Sequence, residues 1–293
     1  MAKALPCTVI IPAYNEEAVI ARCLTRLFEA APPDHAMEVI VAANGCRDAT
    51  VDAARRAAPQ AQVIDLPEGS KTGAINAANA IASHFPRIVL DADVECSYAT
   101  VQALAEALLE PGSMTAAPAI SLDLDSADWM IRAYFRVWLK QPFANSGSGG
   151  AGCYAISEAA LKQIGEFPDI IGDDIWIHTR FASEQKRYVM QDRDGKSVCT
   201  VVRPPRRALQ QIVVEARRQV GNAEVLRLHP SPHNVQRGGQ GSVRIALGNG
   251  AGWMDVLIHF GMKICARILA RWMSWRRKRT KWTRDLTSRR VLP

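Results

Sequence analysis

Between Thr8 and Val94 the chain sets out one arrangement four times: a short apolar run rich in β-formers, a polar loop at its end, then a helical pattern. The runs are Thr8–Ile11, Glu38–Ala42, Gln62–Asp65 and Ile88–Leu90. After the first, Val19, Ile20, Cys23, Leu24, Leu27 and Phe28 recur at helical spacing, and Pro32-Pro33 ends the pattern. An alanine-rich helix to Ala58 follows the second run, and Thr72–Ser83 reads as a helix after the third. Strands that alternate with helical stretches predict right-handed βαβ units and a parallel sheet covered on both faces.

The fourth run ends in two carboxylates one residue apart, Asp91 and Asp93. Ligands of open α/β sheets sit off the carboxyl ends of the strands. Two carboxylates there can hold a hard divalent cation, and such a cation can neutralise a diphosphate. The other strand ends also carry polar groups. Ala13–Glu16 and Asn44–Asp48 can grip a nucleoside, and Lys71 can meet a phosphate as a point charge.

Past Asp93 the pattern changes. Ala99–Leu109 reads as a helix and Met114–Ala117 as a strand, and Ser126 is placed to cap a helix running to Lys140. Gly147–Gly152 is a glycine-rich loop leading into Cys153–Ile156, and Ser157 caps the next helix. Gly172-Asp173-Asp174 opens another. Tyr188–Gln191 and Val198–Val202, on either side of Asp194-Gly195, predict a hairpin. Leu209, Ile212, Val213, Ala216 and Val220 predict the buried face of a later helix. A polar linker, Pro230–Gly241, precedes a final helix from about Trp253.

Taken in order, Val9–Glu16, Val41–Thr50, Lys71–Asn76, Val89–Asp93 and Gly165-Glu-Phe-Pro with Gly172-Asp-Asp174 resemble the motifs of inverting family-2 glycosyltransferases with the GT-A fold. The resemblance covers about residues 8 to 220. It implies an α/β, GT-A domain whose mostly parallel central sheet is flanked by helices, here with a C-terminal amphipathic helical extension. It also implies transfer of one sugar, hexosyl in type, from a nucleotide-diphosphate sugar (UDP favoured) to an acceptor hydroxyl, with Mg2+ or Mn2+ as cofactor. Carried over position by position, Pro12, Ala13, Tyr14, Glu16, Asn44, Lys71 and Asp91 would bind the nucleotide sugar. Asp93, with Asp91, would ligate the metal. Asp174 would be the base and Asp173 its catalytic neighbour, and Gly150 and Arg218 would lie on the acceptor side.

Two departures bear on this. Asn44 stands where the family usually has an acidic residue against the base, and an amide reads a donor as easily as an acceptor. Processive members carry a Gln/Arg-x-x-Arg-Trp segment, whereas Glu215-Ala-Arg-Arg-Gln219 has no Trp, which argues for a non-processive enzyme. His178 and His229 are the candidates for a third metal ligand.

Charge is unevenly spread. From Gly261 to Pro293 there are eleven Lys and Arg against one acid, so this tail carries a surplus of ten and the rest of a chain of net charge +7 is mildly acidic. A basic end points to an anionic partner. In the final helix Asp255, His259, Lys263, Arg267 and Arg271 form a narrow polar stripe amid Trp253, Leu257, Phe260, Ile264, Ile268, Leu269, Trp272 and Trp275. Charges in its middle disfavour a transmembrane span, and a helix lying at the headgroup level fits better. Residues 253–281 are therefore expected to meet a membrane surface, with packing on the domain or on a second subunit, and so a homo-oligomer, as the other reading. A lipid or lipid-linked acceptor then gains over a soluble small molecule or glycan.

Seven scattered cysteines without a C-x-x-C pair, and no leader-like apolar run before Thr8, lead to the expectation of a cytoplasmic protein, peripheral on the cytoplasmic face of the membrane. The expected organisation is 1–225 for the transferase domain (nucleotide-sugar half 1–95, acceptor half 96–225), 226–251 for a linker and 252–293 for the basic helix and tail. Three other classes fit less well. A nucleotidyltransferase wants a glycine-rich loop with Arg and Lys after strand one, which Pro12–Asn15 lacks. A dehydrogenase wants Gly-x-Gly-x-x-Gly there. A nucleic-acid-binding protein leaves the four strand-end loops unexplained.

Overall fold

The computed structural model describes residues 4–145, 152–235 and 242–275. The chain divides into two units that alternate along it. The first comprises Met1–Ser121, Gly149–Asp169 and Arg180–Val202, and the second Leu122–Ser148, Ile170–Thr179 and Arg203–Pro293.

The first unit begins with β1 (Cys7–Ala13), α1 (Ile20–Phe28), β2 (Met37–Asn44), α2 (Thr50–Ala57), β3 (Gln62–Leu66), α3 (Lys71–Ile81) and β4 (Arg87–Leu90). The four strands pair in parallel, β1 with both β2 and β4, and β2 with β3. These are the four runs of the sequence pattern, each a residue or more longer. Alternate side chains of the strands enter opposite layers. Val9, Ile11, Val39 and Val41 pack under α1 and α2, whereas Ile10, Ile40 and Ala42 pack against Ala74 and Ala78 of α3. That two-sided burial is why these runs read as continuously apolar.

The unit continues with β5 (Glu95–Cys96), α4 (Tyr98–Ala107), β6 (Thr115–Leu122), β7 (Cys153–Ile156), α6 (Glu158–Ile164), β8 (Lys186–Val189) and β9 (Cys199–Val202), with α5 (Trp129–Trp138) and α7 (Asp173–His178) falling in the other unit. The sheet runs β3-β2-β1-β4-β7-β6-β9-β5, with β8 on β6. β7 lies antiparallel to β4, Leu90 opposite Cys153, so the sheet is mixed beyond β4.

Two local expectations are corrected here. The predicted hairpin forms only next to its turn, where the Asp192 N–H donates to the Lys196 carbonyl, the Val198 N–H to the Met190 carbonyl and Gln191 bridges Ser197; farther out β8 pairs parallel to β6 and β9 antiparallel to β5 instead of with each other. α5 is capped by Asp128, whose carboxylate accepts from the Ile131 N–H at 2.8 Å, and Ser126 lies in the turn before it. Ser157 does cap α6, accepting from the Ala160 N–H.

The second unit is helical: α5, α7, α8 (Ala208–Leu228), α9 (Val243–Gly248) and α10 (Trp253–Trp275). In α8 the expected buried face is corrected in part: Ala216 is buried and Ile212 and Val220 pack beside it, as expected. Gln211, Glu215, Ala216, Gly221 and Val225 are buried, while Leu209 and Val213 are exposed.

α10 packs on α5 and α8 through Val256, His259, Met262, Ala266 and Ala270, so that of the polar stripe His259 is inside while Arg267 and Arg271 stay exposed. His259 is fully buried and stacks on the Tyr134 ring, with ring centroids 4.5 Å apart and Nδ1 2.9 Å from the Tyr134 carbonyl oxygen. Arg136 on α5 donates two hydrogen bonds of 2.7 Å to Asp255. Ala266 and Ala270 let α10 approach Ala216 of α8. The large apolar residues face outward, with Leu257 61%, Ile264 56%, Ile268 64% and Trp275 80% exposed. No helix of the described residues is long and apolar enough to cross a membrane.

Candidate active site

The loops at the carboxyl ends of β1 to β4 are tied to one another. The Asn44 side-chain amide is buried and donates to the carbonyls of Ala13 (2.9 Å) and Ala42 (3.2 Å), bracing the loop after β1. The Arg47 N–H donates to Asn15 Oδ1, and the Glu16 N–H to Thr50 Oγ1 at 2.7 Å. Asp48 accepts from the N–H groups of both Thr50 and Glu17, so it stitches the first two loops together. Pro12, Ala13 and Glu16 are buried, and Tyr14 is half-buried.

Close approach explains two glycines in these loops. Gly45 has φ +61°, and a Cβ there would fall 2.7 Å from the Gly69 nitrogen. A Cβ on Gly69 would in turn fall 3.3 Å from the Tyr14 ring. Thus Tyr14, Gly45 and Gly69 bring the loops after β1, β2 and β3 into one layer.

The end of β4 carries the charges. Lys71 Nζ lies 2.7 Å from Asp91 Oδ1, with the lysine largely shielded and the carboxylate about a third exposed. The Asp91 N–H donates to the Gly152 carbonyl at 2.8 Å. Gly152 has φ +58°, and a Cβ there would lie 2.5 Å from Val94 Cγ2 and 3.3 Å from Asp91 Oδ2. Only a residue without a side chain leaves that side of the carboxylate open. Asp93 is half-buried. Burial, together with Cys96, Asp93 and Asp91, pushes the thiol of Cys23 beneath them well above the ordinary range.

Among the described residues there is no cluster of three metal-ligating side chains. His178 and His229 both lie in the second unit, His229 edge-on to Trp176. The donor set at the end of β4 is therefore two carboxylates with the space beside Gly152. That fits Mg2+ or Mn2+, hard cations that keep water and substrate phosphate oxygens among their ligands and need only one or two carboxylates.

In the second unit, Gly172 caps α7, and Asp173 and Asp174 occupy its first turn. Asp173 is 2% exposed, whereas Asp174 is exposed. α7 reaches α8 closely, since a Cβ on Gly221 would be 3.9 Å from the Gly172 nitrogen. Arg218, half exposed, donates to both oxygens of the buried Glu215 at 2.8 to 3.1 Å. Gly150 lies outside the described residues, as do 276–281 of the expected membrane segment.

The family model described as glycosyl transferase family 2 matches residues 8–156, just over half of the chain and all four strand-end loops. The chain belongs to glycosyl transferase family 2. This glycosyltransferase has the GT-A fold of several solved structures. One is the mannosyltransferase PcManGT from Pyrobaculum calidifontis in complex with GDP-Man and Mn2+, 20% identical, TM-score 0.60, covering 95% of this chain and 82% of that one. Another is glucosyl-3-phosphoglycerate synthase from Mycobacterium tuberculosis with Mn2+, UDP and glucosyl-3-phosphoglycerate, 20% identical, TM-score 0.55, covering 78% and 81%. The same synthase with Mg2+ and UDP aligns at 21% identity, TM-score 0.55, covering 78% and 80%. No curated protein sequence matches this glycosyltransferase.

Sequence reasoning named Gly152 only as the end of a glycine-rich loop on the acceptor side, and it missed Gly69 as a space-maker and Glu215 as the anchor of Arg218. Glu215 carried a signal in its i,i+3 spacing to Arg218.

Proposed function

We propose that this glycosyltransferase moves one sugar from a nucleotide-diphosphate sugar, UDP favoured, to an acceptor hydroxyl with inversion. The Lys71–Asp91 pair at the end of β4, within a set of mutually bonded strand-end loops, carries the reading. Tyr14 and the backbone of Pro12 to Glu16 hold the nucleoside, and Asn44 acts by bracing that loop. Lys71 meets the diphosphate as a point charge, and Asp91 meets the ribose or sugar. Asp93, with Asp91, holds Mg2+ or Mn2+, which when bound supplies Lewis-acid stabilisation of the departing diphosphate. Asp174, exposed at the start of its helix, takes the proton of the acceptor hydroxyl as that oxygen attacks the anomeric carbon. Asp173, buried beside it, holds the turn, and Arg218 and Gly150 serve the acceptor.

The test is thermal stability against UDP, GDP and CDP and their sugars, with and without Mn2+ or Mg2+. A ligand that binds only the folded state raises its melting temperature. A metal-dependent rise with one nucleotide is expected and names the donor base. A flat response to every pair would overturn the reading.

We further infer that the enzyme works peripherally at the cytoplasmic face of a membrane, on a lipid or lipid-linked acceptor. The support is the outward apolar ridge of α10, with Trp253, Trp272 and Trp275 at its ends and Arg267 and Arg271 beside it. Tryptophan at the ends of an apolar face, with basic residues near, suits the headgroup region of anionic lipid.

A further inference from the structure

Asn76 and Phe167 lie 91 residues apart in the chain and are bonded twice. Asn76 Nδ2 donates to the Phe167 carbonyl at 2.8 Å, and Asn76 Oδ1 accepts from the Phe167 N–H at 2.9 Å. Lys71–Asn76, which opens α3, is thereby joined to Gly165-Glu-Phe-Pro168, which follows α6. One side-chain amide meets the donor and the acceptor of a single residue, as the neighbouring strand does in an antiparallel ladder. Only Asn and Gln carry both functions on one planar amide, and Asn is the shorter.

Phe167 suits this contact. Pro168 follows it, and the residue before a proline is held extended. The N–H and the carbonyl of an extended residue point to the same side, so one amide can reach both. Phe167 is also 3% exposed, so burial and the paired bonds anchor it together.

The two partners lead to different parts of the reaction. Asn76 stands five residues after Lys71 on α3, about 7.5 Å along the axis. That helix is itself fixed: Ser70 caps it by accepting from the Gly73 N–H, and Thr72, Ala74, Ile75 and Ala78 are buried. From Phe167 the chain runs through Ile171 to Gly172, the cap of α7, and then to Asp174. Ile171 packs on α8, where a Cβ on Gly221 would come 3.4 Å from its side chain. The stretch before Asp174 is thus pinned at Phe167 by Asn76 and at Ile171 by α8.

We propose that Asn76 is a positioning residue for the transfer. By holding Phe167 it sets the point from which the segment bearing Asp174 starts, and it does so from the helix whose first residue meets the donor diphosphate. It acts through Phe167 and not by contact with the substrates. Displacing a reacting group by about 1 Å can cost about a hundredfold in rate, so a pin of this kind is felt in turnover before binding. The inference rests on the reading of Asp174 as the base and of Lys71 as a donor contact.

The test uses the full chain with Mn2+ and the sugar nucleotide that the thermal panel selects. Water serves as acceptor, and turnover is read as release of the nucleoside diphosphate. Asn76→Ala should lower kcat about 10- to 100-fold, while nucleotide affinity in calorimetry stays within about threefold of wild type. Asn76→Asp supplies a conditional rescue. Its ionised carboxylate keeps the bond from the Phe167 N–H but sets a negative oxygen against the Phe167 carbonyl, whereas the protonated acid makes both bonds. Partial burial beside a carbonyl raises the pKa of such a carboxyl. The ratio of its kcat to that of wild type should therefore rise severalfold as the pH falls from about 8 to about 5.5.

A lower melting temperature with unchanged kcat per folded molecule would reduce Asn76 to a structural contact and overturn the proposal. So would a loss of nucleotide affinity as large as the loss of kcat, which places the effect in the donor site. Asp174→Asn, measured alongside, scores the base separately. A near-normal rate there sinks the base and this proposal with it. A lost rate there beside a normal rate in Asn76→Ala sinks this proposal alone.

Discussion

Lys71 Nζ and Asp91 Oδ1 lie 2.7 Å apart, joining the first residue of α3 to the residue after β4. The pair sets a cation against the carboxylate that lies next to the proposed metal ligand. Charge-assisted contacts of this kind, lost from one side, weaken anion binding by roughly 1.5–3 kcal/mol. Lys71→Gln should therefore bind the donor nucleotide about 10- to 100-fold more weakly in titration calorimetry with Mn2+ present. Affinity within a factor of two of wild type would remove Lys71 from the donor site.

Asp174→Asn keeps the size of the side chain at an exposed position and removes its ability to take a proton. Turnover should fall about a hundred- to ten-thousand-fold, the usual worth of a positioned base, with nucleotide binding unchanged. Asp93→Asn should do the opposite first, abolishing the metal dependence of nucleotide binding. The assignment of the base fails if Asp174→Asn turns over near the normal rate.

Gly152→Ala adds a Cβ 2.5 Å from Val94 at a residue with φ +58°. The left-handed conformation costs about 1–2 kcal/mol and the overpacking about 1–3. Urea unfolding should register a loss of about 2–5 kcal/mol. A variant as stable as wild type would mean that the backbone there moves freely away from Asp91.

His259 gives the fold a pH dependence. It is fully buried, its pKa is pushed down to about 4, mainly by desolvation, and Nε2 has no hydrogen-bond partner among the described residues. The unfolded chain, with a pKa near 6.5 at this group, binds the proton more readily than the folded one. Stability is therefore complete above about pH 6.5 and is lost as the pH falls toward 4, by about 3 kcal/mol if this group acts alone. Melting temperatures from pH 7 to pH 4 should fall in wild type, and His259→Phe should flatten the part of the curve due to this group. Parallel curves for the two proteins would rule out His259 as the cause.

The outward ridge of α10 can be altered without touching its packing. Ile264 and Ile268 are both more than half exposed. Changing both to Asn should leave the melting temperature within a few degrees and reduce cosedimentation with phosphatidylserine vesicles about tenfold or more, given about 1.5–3 kcal/mol per buried aliphatic side chain. If the double variant instead shifts from dimer to monomer in sedimentation and binds vesicles as before, the ridge faces a second copy of the chain.

The four parallel strands were legible because each is apolar on both faces and ends in a Pro, Asn or Asp loop, so period and punctuation agree. The end of β4 was legible for the same reason, with Asp91 and Asp93 directly after Leu90. The orientation of α10 was not. A hydrophobic stripe says which side of a helix prefers an apolar neighbour, and it cannot say that α5 and α8 offer Arg136, the Tyr134 carbonyl and Glu215 instead. Leu209 and Val213 of α8 misled in the same way. The hairpin around Asp194-Gly195 is shorter than expected for another reason: turn chemistry marks where a chain reverses, while β6 and β5 decided what β8 and β9 would pair with.

The chain passes between its two units five times before the last helix. A single cut anywhere between residues 122 and 202 therefore divides both units at once. A relative's helical unit cannot be grafted on as a cassette, and removing the C-terminal helix to test its role would also bare Tyr134 and Ala216.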